Sequence, residues 1–334
     1  MRNPKGASER SLEEKRSLGA SLNTPAEILR CLSGDKNSDV RELVASNLNT
    51  PSDALLELAE DSYPYVLYKV ARNPNTPSSA LALLAGSVDW FNTGIHQAIA
   101  AHPNTSQDVL DRLTRIRDLD EGILDFEVRA LVAENTNTHP SVLDRLANDE
   151  ASIVREAIVN NPNTNLETIK RLINDKDRDV RACIAKLPSS SLEMLSCLTK
   201  DEDSHVRFVV ALNPNTPSTL LAILAEEDDC ELRVAIIENP NVSTDIIMRI
   251  SDDKSKLVRI SLAESTKTPS HVLALLAKED DCELRKAIIK NPNTPPQVKD
   301  ILEDNPDKIL VRPAIDLDLL ASQLLERDLS GISD

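Results

Sequence analysis

The chain has 334 residues, too many for one ordinary globular core, and only 2% of them are aromatic, so aliphatic side chains must provide most of the burial. Its formal net charge of −17 excludes the basic surface that a nucleic-acid reader normally needs. Five cysteines without Cys-x-x-Cys spacing indicate reduced thiols. No apolar run is long enough for a signal peptide or a membrane span, so we predict a cytoplasmic protein without a membrane partner.

A turn motif recurs along the chain. It is complete as Asn-Pro-Asn-Thr-Pro at 73–77, 213–217 and 291–295, and eight further copies are recognisable. Its Thr position falls at residues 24, 50, 76, 105, 138, 164, 190, 216, 242, 268 and 294. Eight of the ten intervals are therefore 26 residues, and the other two are 29 and 33. Such a period indicates one array of stacked supersecondary units rather than several globular domains.

Each copy of the motif is typical of a turn between two short helices. The first Asn tolerates left-handed backbone geometry and the Pro after it stops the helix, which predicts a helix end. The Thr hydroxyl is a candidate cap for the next helix, with the following Pro at its first position. Four copies also have capping-box spacing: Thr24 with Glu27, Thr164 with Glu167, Ser190 with Glu193, and Thr294 with Gln297.

The helix after each turn carries two aliphatic columns. One consists of Leu29, Leu55, Leu81, Leu110, Leu143, Ile169, Leu195, Leu221, Ile247 and Leu273. The other consists of Leu32, Leu58, Leu84, Leu113, Leu146, Leu172, Leu198, Leu224, Ile250, Leu276 and Leu302. Helices this short are marginal alone, so both columns must be buried against neighbouring repeats. We predict an all-α solenoid of about eleven 26-residue helix–turn–helix repeats.

The ends of the chain depart from the pattern. Residues 1–20 are predicted to be a polar tail and a degenerate capping helix, and residues 21–304 the repeat array. Residues 305–334 are predicted to contain a closing helix at 314–328 and a frayed tail.

The period is broken near residues 86–94 and 116–122, where three and seven residues are added. Insertions in solenoids often lie on the binding face. Six of the seven aromatic residues fall within the same 64 residues: Tyr63, Tyr65, Tyr68, Trp90, Phe91 and Phe126. Together with His96 they are our candidate partner-binding residues, because aromatic side chains dominate binding hot spots. The alternative is that bulky side chains fill gaps between misaligned repeats.

An arginine column is the most regular polar feature. It comprises Arg41, Arg129, Arg155, Arg181, Arg207, Arg233, Arg259 and Arg285, with Leu67 and His96 in the two broken places. One interpretation is a row of guanidinium groups for carboxylates or phosphates. The other, which we favour, is a structural ladder, because an acid lies six positions earlier in seven of the eight cases. That acid would tie the loop before the helix to the arginine.

Metal and cofactor sites are not predicted. His96 and His102 have no third ligand at metal spacing. The acidic runs at 226–229 and 279–281 lack the alternating Asp and mid-loop Gly of a calcium loop.

The combination Val-Arg-x-x-Val-Ala-x-Asn-Pro-Asn-Thr-Pro, as at 206–217, followed by Leu-x-x-Leu, resembles the leucine-rich repeat variant family, which is related to HEAT-type solenoids. The resemblance covers about residues 20–304. It implies a right-handed superhelix of paired short helices, some of them of 3₁₀ type, and a role in binding rather than a reaction. The founding bacterial example has an iron–sulfur segment. Here Cys31 is the only cysteine before Cys183, so that segment is not carried over.

Three functions are open at this stage. The first is a non-enzymatic protein–protein interaction scaffold or adaptor, which binds a partner on one face. The second is an acidic regulatory protein that mimics nucleic acid and is recognised through its charge. The third is a HEAT-like DNA glycosylase, which would need a basic groove for the DNA.

Overall fold

The computed structural model describes residues 9–86, 93–115, 125–303 and 317–330, and all regular structure in these ranges is α-helical. It contains 23 described helices in two compact units, Met1–Leu172 and Ile173–Asp334. Both predicted insertions lie largely outside the described residues. None of the described helices is long and apolar enough to cross a bilayer.

The first unit holds six helix pairs, in which a first helix of nine or ten residues is followed by a second helix of seven. The first helices are α1 (Leu12–Ala20), α3 (Ser38–Ser46), α5 (Pro64–Arg72), α7 (Thr93–Ala101), α9 (Asp125–Glu134) and α11 (Ser152–Asn160). The second helices are α2 (Ala26–Leu32), α4 (Ser52–Leu58), α6 (Ser78–Leu84), α8 (Gln107–Leu113), α10 (Pro140–Leu146) and α12 (Leu166–Leu172). Within this unit, each first helix from α1 to α9 packs directly on the first helix of the next pair.

The second unit continues the same alternation through five pairs. Its first helices are α13 (Arg178–Lys186), α15 (Ser204–Leu212), α17 (Cys230–Glu238), α19 (Lys256–Glu264) and α21 (Cys282–Lys290). Its second helices are α14 (Leu192–Leu198), α16 (Ser218–Leu224), α18 (Thr244–Ile250), α20 (Ser270–Leu276) and α22 (Pro296–Glu303). The predicted closing helix is α23 (Leu317–Ser330), which packs on α20 and buries Leu317 and Ala321.

The core is aliphatic, as predicted. Every member of the two leucine and isoleucine columns is at most 7% exposed. The first helices contribute Val and Ala at the same repeat positions, for example Val40, Val44 and Ala45, all fully buried. Burial of this kind is what makes seven-residue helices stable, because such helices do not persist in isolation. The 3₁₀ helices implied by the family resemblance do not occur in the described ranges.

The first Asn of the motif has a different role from the one predicted. Wherever its backbone angles are defined, φ is −64° to −78° and ψ is 121° to 133°, so the residue is extended and not left-handed. A Pro follows in most copies, and a residue before Pro avoids helical geometry, but Asn47 is followed by Leu48 and has the same extended angles. The Asn is needed for its side-chain amide.

That amide forms an asparagine clamp, which we define as Asn47, Asn73, Asn135, Asn161, Asn213, Asn239 and Asn291. Each Nδ2 donates to two backbone carbonyls at the end of the preceding first helix, at 2.6–2.7 Å and 2.9–3.1 Å. Each Oδ1 accepts from the backbone N–H two residues on, at 2.8–3.0 Å. The clamp thereby supplies a donor to one carbonyl that the helix end leaves unpaired, and a second donor to another that also accepts the backbone N–H three residues on.

The motif Thr also differs from its predicted role. Its hydroxyl donates to the carbonyl six residues earlier, at 2.5–2.6 Å, as in Thr50 to Val44 and Thr76 to Val70. The second helix begins one residue later than predicted, and Pro51 or Pro77 is the N-cap without a side-chain bond. The four predicted capping boxes are therefore wrong, because their hydroxyl residue lies outside the helix start. The hydroxyls of all four donate to the preceding helix.

We predict that Asn161→Ala destabilises the protein by about 2–3 kcal/mol, because it leaves the carbonyls of Ala133 and Asn135 without this donor in a buried site. Its neighbour Asn160 is exposed and bonds only within its own helix, so Asn160→Ala is the matched control and should change stability by no more than about 0.5 kcal/mol. Urea unfolding followed by circular dichroism measures both. Equal midpoints for the two variants would contradict the clamp.

Candidate partner-binding face

The tyrosine face consists of Tyr63, Tyr65, Tyr68 and Arg72. Tyr65, Tyr68 and Arg72 are spaced i, i+3 and i+7 on α5, which places them on one side of the helix. Tyr63 is the N-cap residue, and its ring lies 5.7 Å from the ring of Tyr65 at an interplanar angle of 41°. Tyr63 and Tyr65 are 39% and 62% exposed. This segment therefore presents two aromatic rings to solvent in a fixed mutual arrangement.

Tyr68 is half-buried and connects the face to the next repeat. Its ring packs beside Gly94 in α7, where an added Cβ would be 3.5 Å from the ring. The Arg72 guanidinium lies 5.6 Å from the ring centroid, and its Nη1 donates to the Tyr68 hydroxyl at 2.9 Å. A guanidinium over an aromatic ring is attracted by the ring quadrupole. Arg72 is thus held against Tyr68, further along α5 from the exposed Tyr65.

The other candidate residues are distributed over the following repeats. His96 is half-buried on α7, and Phe126 is half-buried at the start of α9. Consecutive first helices pack together, so these two residues lie one and two repeats from the tyrosine face. Trp90 and Phe91 lie outside the described residues. Within the described chain, Tyr63 and Tyr65 form the one aromatic ring pair.

The arginine column forms ion pairs, but with a different acid from the one predicted. The carboxylate partner lies twenty positions after the arginine, in the loop of the next repeat, with closest N–O distances of 2.5–2.8 Å in five pairs. The pairs are Arg41 with Asp61, Arg129 with Asp149, Arg181 with Asp201, Arg207 with Glu227, Arg233 with Asp253, and Arg259 with Glu279. Arg285 pairs with Asp280 instead.

The acid six positions earlier contributes its backbone carbonyl. Arginine Nη1 donates to that carbonyl at 2.6–3.0 Å, as in Arg181 to Asp175 and Arg207 to Asp201. Asp201 therefore binds Arg181 through its carboxylate and Arg207 through its carbonyl. Because one acid serves two arginines, the contacts run from repeat to repeat. All eight arginines have acceptors, so they do not form a row of free guanidinium groups.

Sequence reasoning missed the first member of the ladder. Lys15 lies 26 residues before Arg41, and its ammonium binds the Asp35 carboxylate at 2.8 Å in the same arrangement. The repeat period alone would have identified it. Leu67 and His96 stand in place of the ladder arginine, Leu67 on α5, which carries the tyrosine face, and His96 on α7 in the next repeat.

His102 takes the place of a clamp asparagine and is 5% exposed. Its Nδ1 accepts from the backbone N–H of Asn104 at 3.1 Å, and its Nε2 lies 2.9 Å from the carbonyl oxygen of Asn73. A carbonyl only accepts, so the proton is on Nε2. The ring accepts as the amide oxygen does, and it donates to one carbonyl of the preceding turn where the amide donates to two. In the described residues no group of three or more potential metal ligands occurs.

Three ladder carboxylates have pKa values below the ordinary value. Burial of Asp201 disfavours its charged form, but hydrogen bonds from Arg181 and from the Asp203 backbone outweigh this, so the pKa of Asp201 lies below its ordinary 3.8. The same balance lowers the pKa of Asp61 beside Arg41 and that of Asp35 beside Lys15. These acids stabilise the fold only while they are charged.

The geometry defines an all-α helical-repeat fold of the solenoid class. The family model described as "Leucine rich repeat variant" matches residues 39–62. A solved structure described as "a leucine-rich repeat variant with a novel repetitive protein structural motif" has a TM-score of 0.50 at 21% identity, covering 73% of this chain and 88% of its own. The resemblance to the leucine-rich repeat variant family is confirmed, in one matched repeat and in the fold.

Two engineered proteins of solved structure are less similar. One has a TM-score of 0.26 at 18% identity, covering 98% of both chains. The other has a TM-score of 0.12 at 17% identity, covering 89% of this chain and 96% of its own. No curated protein matches the chain at a significant level.

The lowered pKa values give a pH dependence of known sign. Since the folded pKa of Asp201 lies below the unfolded 3.8, its contribution is complete above that pH and is lost as the pH falls through the folded value. We expect the urea midpoint to be flat above about pH 5 and to fall below about pH 4.

Asp201→Asn should lower the free energy of unfolding at pH 7 by about 3 kcal/mol, because it leaves Arg181 without its buried carboxylate. It should also make the loss of stability below about pH 4 less steep. Asp179→Asn is the control, since that side chain is 56% exposed. An acid limb of unchanged slope in Asp201→Asn would show that this pair is not responsible.

Proposed function

We propose that this protein is a non-enzymatic interaction scaffold that binds a protein partner at the tyrosine face. The observation that carries the proposal is the exposure of Tyr63 and Tyr65, whose rings contact each other at the surface of α5. Tyr and Arg are enriched in binding hot spots because they bury a large area with few rotatable bonds. The helical-repeat fold supports a binding role by its architecture.

The exposed fraction of each side chain distinguishes a binding face from side chains that fill gaps between repeats. A side chain that fills a gap between misaligned repeats is buried, and Tyr68 fits that description through its contact with Gly94. Tyr65 is 62% exposed and does not. The Arg72 guanidinium beside Tyr68 adds a positive charge at the edge of the face, in a chain of net charge −17. A partner with apolar and acidic side chains would complement it.

We propose that the site extends over the following repeats to His96 and Phe126, and to Trp90 and Phe91. Because α5, α7 and α9 are consecutive first helices, a partner that lies along them would meet these side chains in order. The protein would act in the cytoplasm, which the five free cysteines support, since thiols stay reduced there.

The proposal is tested by quantitative affinity purification of the tagged full chain from its native cells. The double variant Tyr65→Ala/Arg72→Ala should lower recovery of the main partner, with an affinity loss of roughly 30-fold, because truncating a hot spot costs about 2 kcal/mol. The purified pair then gives the affinity by calorimetry.

The matched control is Ile153→Ala/Asn160→Ala. These residues hold the equivalent positions on α11, and Ile153 is 50% exposed, so the same truncation is made in the same unit away from the tyrosine face. Equal recovery with wild type and both folded variants would refute the tyrosine face as the site. Equal loss in both would indicate a nonspecific effect.

A further inference from the structure

The turn before α20 departs from the motif at a position that matters for packing. Ser265 stands where seven repeats have a clamp asparagine. At the next junction, Asn291 Nδ2 donates to the carbonyls of Ala263 and Ser265 at 2.7 and 2.9 Å. The equivalent carbonyls for residue 265 belong to Ile237 and Asn239. In the described chain no side chain donates to either of them, because a serine side chain is too short.

A cavity of about 300 Å³ lies at this junction, lined by Ile237, Asn239, Ser261 and Ser265 and by the charged residues Glu238, Glu264 and Lys267. We call it the Ser265 cavity. The following junction also has a cleft, of about 400 Å³, but Asn291 lines it and neither Ala263 nor Ser265 does. A cleft is therefore present at both junctions, and at the one where serine replaces the clamp asparagine it reaches the carbonyl-bearing residues Ile237 and Asn239.

Ser261 is a second, independent departure at the same place. The equivalent residue is alanine in the repeats on both sides, Ala235 and Ala287. Ser261 is 8% exposed, and its hydroxyl forms no hydrogen bond with the described residues but is open to the cavity space rather than fully enclosed. A polar group is thus present in the cavity wall where the neighbouring repeats have a methyl group.

The charge of the cavity selects the sign of a ligand. Glu238 and Glu264 are exposed at its rim and form no ion pair with any described residue. Lys267 is the one cation of the lining, and its ammonium already donates to the carbonyls of Pro240 and Val242. The lining therefore carries a net charge of −1 with the lysine engaged. It favours a cationic group.

The positions of the two carbonyl acceptors indicate which kind of cationic group would fit. In the seven clamps a planar –NH₂ group donates one hydrogen to each of two carbonyls. A guanidinium ends in the same planar –NH₂ group and adds a positive charge and further donors, whereas an ammonium is tetrahedral. We propose that the Ser265 cavity binds an arginine guanidinium. One –NH₂ bonds the carbonyls of Ile237 and Asn239, and the remaining donors face the Ser261 hydroxyl and the two glutamates.

The arginine is that of a bound protein partner, and this clause alone rests on the proposed scaffold function. The cavity itself is independent of the tyrosine face, which lies in the other unit. It can be tested with small molecules, so failure of one proposal leaves the other distinguishable.

The test is a titration of the full chain, labelled at isoleucine methyl groups, in which the Ile237 methyl signal reports on the cavity. The probes are a capped Gly-Arg-Gly tripeptide, the same peptides with lysine and with citrulline, and free arginine. We expect saturable shifts with the arginine peptide. Lysine should bind several-fold more weakly for lack of the planar group, and citrulline several-fold more weakly for lack of charge. If free arginine bound and the capped arginine peptide did not, the assignment to a partner side chain would be overturned.

Two substitutions of Ser265 distinguish the effect of filling the cavity from the effect of removing the serine hydroxyl. Ser265→Asn restores the clamp amide, so it should abolish the arginine shift and raise the unfolding temperature. Ser265→Ala leaves the cavity open and should retain binding. Ser261→Ala should weaken binding without filling the space. Equal shifts in Ser265→Asn and wild type, or no saturable shift with any arginine probe, would overturn the proposal and leave a cavity filled by water only.

Discussion

The structure depends on how the carbonyl groups at the end of each first helix are satisfied. A helix end leaves its last carbonyls without internal partners, and a chain of nine-residue helices creates such an end in every repeat. The asparagine clamp solves this across the repeat boundary, because one amide bonds two carbonyls of the preceding repeat while its oxygen fixes its own turn. Each turn is therefore both the end of one repeat and an attachment to the one before. The aliphatic columns provide most of the stabilisation, but the clamp sets the register in which they stack.

The ladder ties successive repeats together at the opposite end of the first helix. There the carboxylate and the carbonyl of one acid bind two arginines in neighbouring repeats. Leu67 and His96 stand in place of the ladder arginine, while the first attachment persists through Asn73 and through His102, which bonds the Asn73 carbonyl and its own turn. The repeats of α5 and α7 thus keep the attachment at the end of the first helix and lack the arginine of the ladder.

The repeat period, the buried columns and the all-α class could be predicted from the sequence, because a repeated apolar spacing fixes which side of each helix is buried. The partner of each arginine could not. With a period of 26, an acid six positions before one arginine is also an acid twenty positions after the previous one, so the sequence pattern is the same for both pairings. Only the geometry decides that Arg181 binds Asp201 by its carboxylate and leaves the carbonyl to Arg207. Likewise, Asn is suited both to a left-handed helix end and to donating across a turn, and composition does not separate the two roles.

In a repeat protein each residue can be compared with the equivalent residues of the other repeats. A substitution can therefore be judged by whether the new side chain replaces the interaction that is lost. His102 replaces the clamp asparagine with a ring that accepts from its own turn and donates to one of the two carbonyls, that of Asn73, and Lys267 replaces a motif asparagine with an ammonium that bonds the carbonyls of Pro240 and Val242. Each replacement keeps a side-chain contact with the preceding turn. Ser265 is different, because it withdraws a donor from two carbonyls while the adjacent Ser261 adds a further polar group without a partner. Substitutions that conserve an interaction are explained by folding. Folding does not explain a substitution that removes a hydrogen-bond donor and leaves a cavity lined by polar groups. A bound ligand that restores the missing donor explains it.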